Sequence, residues 1–274
     1  MGLLLWVMEV LANNLQVLSQ NISSGYLTSG IGAFGGAYNV CRNIASNVCQ
    51  PIAYTFLTIF LLLDFLAVAM QLTQQGGSGM AAPVAAMKTF FKLAFVKWAI
   101  DNSSALLGAI FDLAVSITSQ IGGTTAITIA DLTPRMEQLI RDGDYSIIEG
   151  IGAFALLFAT VIVTWIAIIG LSYVILSRYV QLYFYIALSP IPMSFFAQQH
   201  TIQMGVGYFK GFAGVALQSA VIALALKLFP SFASAVAISD NDLGSCCLHI
   251  AMLSIILLGT VMGSSQVAQR VFGS

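Results

Sequence analysis

Tyr185-Ile186-Ala187-Leu188-Ser189-Pro190-Ile191-Pro192-Met193 lies inside a run of 31 residues, Tyr179 to Phe209, that carries no Asp, Glu, Lys or Arg. A charge-free run of this length reads as membrane-embedded, because a hydrocarbon core about 30 Å thick takes ~20 helical residues. Pro190 and Pro192 each lack a backbone N–H and crowd the preceding turn, so a straight helix is not expected to continue through them. Backbone groups freed at membrane depth are tolerated only where protein or a wet cavity receives them. The stretch 179–200 is therefore expected to be a broken, re-entrant or interfacial element of a membrane protein. Ser189, Pro190, Ile191 and Pro192 stand at its centre.

Composition points the same way. The chain is 58% hydrophobic and 8% charged, with a mean hydropathy of +0.91. Soluble domains carry about 25% charged residues, so too few polar side chains exist here to cover a globule. A net charge of −1 offers no basic nucleic-acid groove. Met1-Gly2-Leu3-Leu4-Leu5-Trp6 has no basic start, and Glu9, Asn13 and Asn14 soon interrupt it. Insertion is expected to rely on internal spans rather than a cleaved leader.

Working outward from the proline element, the sequence predicts an all-α polytopic protein with about five transmembrane helices. The predicted spans are 51–72, 93–119, 150–177, 206–229 and 246–267. Residues 1–49 form a separate N-terminal segment, expected outside the cell. Within it Leu4, Val7, Met8, Leu11, Leu15 and Leu18 recur at helical spacing, which reads as an amphipathic interfacial helix. Residues 22–49 are small and polar, suiting either a short packing helix or a loop. Gln74 to Gly79 makes a polar, glycine-rich connection. Gly207, Gly211 and Gly214 in one span, and Gly259 and Gly263 in the last, are candidate helix-packing positions where backbones approach closely.

Orientation follows from Lys and Arg. Lys88, Lys92 and Lys97 mark the first connection as cytoplasmic. The loop from Gly122 to Glu149, with Asp131, Arg135, Glu137, Arg141, Asp142 and Asp144, suits the outside. Arg178 reads as the cytoplasmic end of the third span. If the proline element does not cross, Lys210 and Arg270 are also cytoplasmic, and Asp240 and Asp242 are exterior. This places the protein in a cytoplasmic membrane with the N-terminus outside and the C-terminus inside. A crossing element would make six spans.

A helical wheel sets Lys97, Asp101, Ser104, Gly108, Asp112 and Ser119 on one face of the second span. Ionised groups at bilayer depth are costly, so this stripe must meet protein, partner charges or water. It reads either as a pore lining or ion relay, or as a polar seam between helices or subunits. Asp64 is another intramembrane acid, expected near Lys97 or held protonated in an apolar setting, where burial raises a carboxyl pKa. Tyr173, Tyr179, Tyr183, Phe184 and Tyr185 straddle Arg178 and read as interfacial anchors.

The chain has four cysteines. Cys246 and Cys247 are adjacent, and a bridge between neighbours is strained. Cys41 and Cys49 can pair if they face an oxidising exterior. No cysteine has metal-ligand spacing, His200 and His249 are isolated, and no cofactor is expected. GxxxxGK[ST], HExxH and GxSxG patterns do not occur, so an enzyme is not expected and any energy source sits on a partner.

Several residues together carry a resemblance. Lys92, Lys97, Trp98 and Asn102 are followed by a charge-free span ending at Arg178. Then come Tyr185 to Met193, and Gly207-Tyr208-Phe209-Lys210-Gly211-Phe212-Ala213-Gly214-Val215-Ala216-Leu217-Gln218. In this the chain resembles the TrbL-like polytopic membrane subunits of type IV secretion and conjugal transfer systems. It is most similar to those of Gram-positive conjugative elements. The resemblance runs from about residue 50 onward and is most specific between Tyr179 and Gln218. It implies a membrane channel or scaffold subunit, not an enzyme, that assembles as a homo-oligomer with other secretion subunits. Cytoplasmic ATPases would supply energy, and the cargo would be single-stranded DNA attached to its relaxase, or a protein. Two other readings stay open on the residues alone: an ion-coupled solute transporter using Asp64, Asp101 and Asp112, or a structural assembly factor without a conducting path.

Overall fold

The computed structural model describes residues 2, 6–7, 9–14, 29–74, 81–122, 147–236 and 243–272. Several expectations lie outside the described residues. They concern Leu4, Met8, Leu15, Leu18, residues 75–79, the loop charges Asp131 to Asp144, Asp240, Asp242 and the Cys246 side chain. Regular structure among the described residues is helical throughout. The helices are α1 (Gly35–Ile44), α2 (Gln50–Gln74), α3 (Ala81–Asp101), α4 (Ser103–Gly122), α5 (Ile147–Leu188), α6 (Pro190–Ser194), α7 (Ile202–Val236) and α8 (Leu243–Phe272). Five helical stretches are long and apolar enough to cross a membrane: Gly35–Met70, Ser103–Ile121, Gly150–Leu188, Ile202–Leu228 and Cys247–Phe272. The protein is thus an all-α polytopic membrane protein.

Helix limits differ from the sequence expectation at three places. First, α1 passes through a π-helical turn, Ala45–Cys49, directly into α2, so residue 49 falls inside a continuous helical run. Cys41 and Cys49 are free thiols. Eight residues of helix separate them by roughly 12 Å, well beyond disulfide reach; the pairing is not made. Second, α3 and α4 are divided at Asn102. Its side-chain Nδ2 and its backbone N–H both donate to the Trp98 carbonyl, at 2.9 and 3.0 Å. Third, α5 continues for 42 residues through Arg178, which is fully buried. At 1.5 Å per residue it is ~63 Å long. The arginine is buried within the helix and does not end it.

The described residues form two compact units. One unit comprises residues 1–29, 114–178 and 217–268. Here the hydroxyls of Thr118 on α4 and Ser219 on α7 lie 2.9 Å apart, and Gln218 donates to Ser264 Oγ on α8 at 3.2 Å. Thr160 on α5 reaches the Cys247 carbonyl at 3.4 Å. A Cβ on Gly170 would overlap Leu258, so α5 and α8 touch closely there. Buried hydroxyls in helices without free backbone donors need such partners, because an unpaired polar group costs about 1–3 kcal/mol. Val7 and Leu11 of the N-terminal helical segment are buried, while Trp6 is exposed.

The second unit comprises residues 30–113, 179–216 and 269–274. Its core is Ala53 and Leu57 of α2, Val96, Ala99 and Ile100 of α3, with Met193 and Ala197 from the proline element. Tyr179 and Tyr183, expected as interfacial anchors, are instead buried. The Tyr183 hydroxyl donates to the Ile31 carbonyl at 3.1 Å and accepts from the Phe34 N–H at 3.3 Å. Phe34 meets Tyr179 edge-on at 5.3 Å. These contacts tie the start of α1 to α5. Tyr173 and Phe184 remain exposed, as anchors would be.

Candidate functional site

Pro190 ends one helix, and with Pro192 it begins the next. Both fall in the first turn of α6, where the N–H groups have no acceptor within the helix. The fixed φ of proline also suits helix N1. α5 ends because Pro190 supplies no N–H, and Ser189 closes its last turn by donating its N–H to the Ile186 carbonyl at 3.3 Å. The Ser189 hydroxyl, fully buried, lies 2.8 Å from the same carbonyl and 3.0 Å from Ser103 Oγ at the start of α4. Phe195–Ala197 then forms a 3₁₀ turn, Gln198 is extended, and the Thr201 hydroxyl donates to the Phe195 carbonyl at 2.8 Å before α7 begins.

This element is enclosed by protein. Ser189, Met193 and Ser194 are all 1% exposed or less. Phe195 packs edge-on against Phe56 and Phe60 of α2, with ring centroids 6.1 and 6.0 Å apart. The broken segment bonds locally at its ends, while its buried side chains pack on α2 and α3. α7 returns antiparallel to the end of α5. Tyr208 donates its hydroxyl to the Tyr185 carbonyl, and Tyr185 packs on Phe212 at 5.8 Å.

Beside the element, α2 and α3 are an antiparallel pair whose register is set by charge. Gln50 Nε2 donates to Asp101 Oδ1 at 2.9 Å, and the Tyr54 hydroxyl donates to the same oxygen. Lys97 Nζ donates to Asp101 Oδ2 at 3.0 Å and stands 5.8 Å from the Tyr54 ring centroid. Further along, Lys92 Nζ donates to Asp64 Oδ2 at 3.0 Å, and Phe65 meets Phe90 at 5.8 Å. Asp64 therefore pairs with Lys92 and not with Lys97. The Tyr54 hydrogen bond, with Lys97 and Gln50 behind it, holds the Asp101 carboxyl below the usual carboxylate range. The same carboxylate raises the Lys97 ammonium above its ordinary value. Both groups precede the apolar stretch Ser103–Ile121.

The predicted polar stripe is divided between these roles. Lys97 and Asp101 satisfy one another, Ser104 and Gly108 are half-buried, and Asp112 is exposed. The buried face of α4 is Ser103, Leu107, Phe111, Ala114 and Thr118. Asp64, Asp101 and Asp112 are not gathered: Tyr54 and Asp64 stand ten residues apart on α2, roughly 15 Å, and each acid has its own surroundings. Among the described residues no group of three or more metal-ligating side chains occurs.

Of the packing glycines, Gly211 makes a close approach: a Cβ there would stand 2.7 Å from Tyr185 Oη. Gly214 is buried, whereas Gly207, Gly259 and Gly263 face open space. Gly205, whose Cβ would meet the Phe196 ring at 2.7 Å, and Gly170 are tight positions that sequence reading missed. So are Gln50, Tyr54, Lys92 and Ser103 as partners. Only Lys92 carried a signal, as the one lysine between Lys88 and Lys97 on the facing helix.

The family model described as "TrbL/VirB6 plasmid conjugal transfer like protein" matches residues 31–190. It begins where Tyr183 holds Ile31 and stops at the first proline, so it takes in residues 31–49 and leaves 191–218 outside. No curated protein and no solved structure matches the chain. The matched stretch is more than half of the 274 residues and includes most of the hydrogen-bonded and charged contacts just described: the chain belongs to the TrbL/VirB6 plasmid conjugal transfer like family.

Proposed function

We propose that this protein is a channel or scaffold subunit of a conjugative type IV secretion system, helping to move a relaxase-bound DNA strand or a protein across the cytoplasmic membrane. Family membership supports the setting. The observation that carries the finer reading is how the polar side chains are used. They pin helices together, as Ser189 with Ser103 and Lys92 with Asp64 do, or face outward from an apolar helix, as Asp112 does. Among the described residues these side chains serve helix packing or face outward, and the family setting supports cytoplasmic ATPases as the energy source. Its partners on this reading are further copies of itself and the other membrane subunits of the system.

A clean deletion in a donor strain tests this. Transfer should fall to background and return on complementation, while growth and solute uptake stay normal. Unimpaired mating would refute the proposal.

A further inference from the structure

Five helical stretches qualify as crossings by length and apolar composition, and α3 is not among them. It carries Lys88, Lys92 and Lys97 within three turns. Its pairing with α2 puts it at membrane depth all the same. Tyr54 meets Asp101, Asp64 meets Lys92 and Phe65 meets Phe90. These pairs run antiparallel, so roughly residues 85–101 stand beside 54–70, inside the apolar stretch Gly35–Met70. That length of helix covers about 25 Å, most of a hydrocarbon core of about 30 Å. The side chains of α3 are sorted by face. Val84, Met87, Phe91, Ala94, Phe95 and Trp98 recur three or four residues apart, and all are exposed, Phe91 to 70%. The strip they form holds no polar side chain. Lys92 turns to Asp64, and Lys97 is drawn to Asp101 and the Tyr54 ring. Lys88 lies toward the N-terminal end of α3, where its stem can carry the ammonium to the headgroups.

We propose that α3 lies in the hydrocarbon beside α2, its outer strip against acyl chains, with Asp64 as the counter-charge that keeps Lys92 there. The inference rests on the membrane-spanning architecture alone and holds whatever the assembly moves. Lipid is the occupant because α2 turns Ile59, Leu62 and Leu66 outward at the same levels. A protein partner would bring a polar rim, for which the strip offers no group. An unpaired lysine at that depth is costly, so α3 by itself would stay at the surface. Packed on α2, it shows lipid an apolar strip. The Asn102 N–H donates to the Trp98 carbonyl and the Leu106 N–H to the Asn102 carbonyl, both at 3.0 Å, so the chain passes from α3 into α4 without reversing. The two helices thus make one crossing, and the count stays at five. The lysines follow α2 in the chain, so they act on its orientation before α3 packs against it.

The test uses the full-length chain cleared of native cysteines, with a nitroxide on Phe91→Cys or, for α2, on Leu62→Cys. The chain is placed in vesicles of phosphatidylethanolamine and phosphatidylglycerol. Collisions with oxygen, which concentrates in acyl chains, are compared with those of a water-soluble nickel chelate. Oxygen should dominate at both sites. Nickel dominating at Phe91→Cys alone overturns the proposal and leaves α2 in the bilayer; nickel at both sites overturns the membrane setting itself. Few collisions with either reagent at Phe91→Cys would mean that protein covers the strip, which also overturns it. Asp64→Asn should shift the Phe91→Cys oxygen-to-nickel ratio about tenfold toward nickel, because an uncompensated lysine is disfavoured at depth by at least that factor. Exchanging the charges, Asp64→Lys with Lys92→Asp, should restore the ratio even if Asp64→Asn alone fails to accumulate. A ratio unchanged in Asp64→Asn, or not restored by the exchange, removes the counter-charge role. In donor-cell membranes a benzophenone on Phe91→Cys should give no adduct with another protein; a discrete protein adduct overturns lipid as the occupant.

Discussion

Asp101 collects three donors from two helices: Tyr54 and Gln50 of α2, and Lys97 of its own helix. Because its folded carboxyl sits below the usual range, its contribution to stability is present above the unfolded value of about 3.9 and is lost as pH falls through the lower folded value. Asp101→Asn should therefore melt a few degrees below the native protein in detergent at neutral pH. The difference should begin to narrow below about pH 4, where the unfolded chain's carboxyl protonates, and close only as pH falls through the lower folded value, where the native carboxyl also protonates. A difference unchanged across that range would mean that shape, and not charge, is what Asp101 supplies. The pair Lys97–Asp101 was legible in the sequence, because residues four apart on a helix are neighbours. Tyr54 and Gln50 were not, because nothing in a single sequence sets the register of one helix against another. The Cys41–Cys49 pairing failed for a related reason: the small, polar composition of residues 22–49 does not reveal that α1 continues into α2.

The proline element shows how far local rules reach. Proline chemistry predicted a break in the charge-free run, and there is one, at Ser189. It did not predict that both prolines would serve as the first turn of a new helix, or that Met193 and Ala197 would complete a core between α2 and α3. Arg178 misled for the opposite reason. An arginine usually ends a span, but here packed protein encloses it and α5 runs on for another ten residues. Replacing Pro190 and Pro192 together with Ala restores two N–H groups beside Ser189, whose backbone is already helical at φ −54°, ψ −34°. α5 should then extend by a turn and draw Met193 from its site. Losing a buried methionine costs about 2–5 kcal/mol. The double variant should melt several degrees lower and lose transfer. Ser189→Ala, which removes one hydroxyl, should cost about 1 kcal/mol and leave transfer measurable. Wild-type melting and transfer in the double variant would rule out an organising role for the prolines.

At the scale of the molecule, the five long apolar stretches leave the two termini on opposite sides of the membrane if each crosses once. The antiparallel return of α7 onto α5, fixed by Tyr208 and Tyr185, removes the reason for a sixth crossing inside 179–209. Which side is cytoplasmic then depends on Lys and Arg. Lys92 and Lys97 are paired with acids, but acidic residues contribute little to the orientation rule, so both still count beside Lys88 and Lys210. On that count we propose an exterior N-terminus, a cytoplasmic C-terminus and a cytoplasmic turn between α5 and α7. Gln199 is exposed in that turn, and Asp240 belongs to the connection between α7 and α8. In a chain cleared of native cysteines, a membrane-impermeant thiol reagent should modify Asp240→Cys in intact cells and reach Gln199→Cys only after permeabilisation. Modification of Gln199→Cys in intact cells with position 240 protected would mean a crossing inside 179–209, for which the enclosed proline element would have to open, or an inverted orientation. If both positions reacted, the Ile202–Leu228 stretch would not separate them, and the count of five crossings would fail.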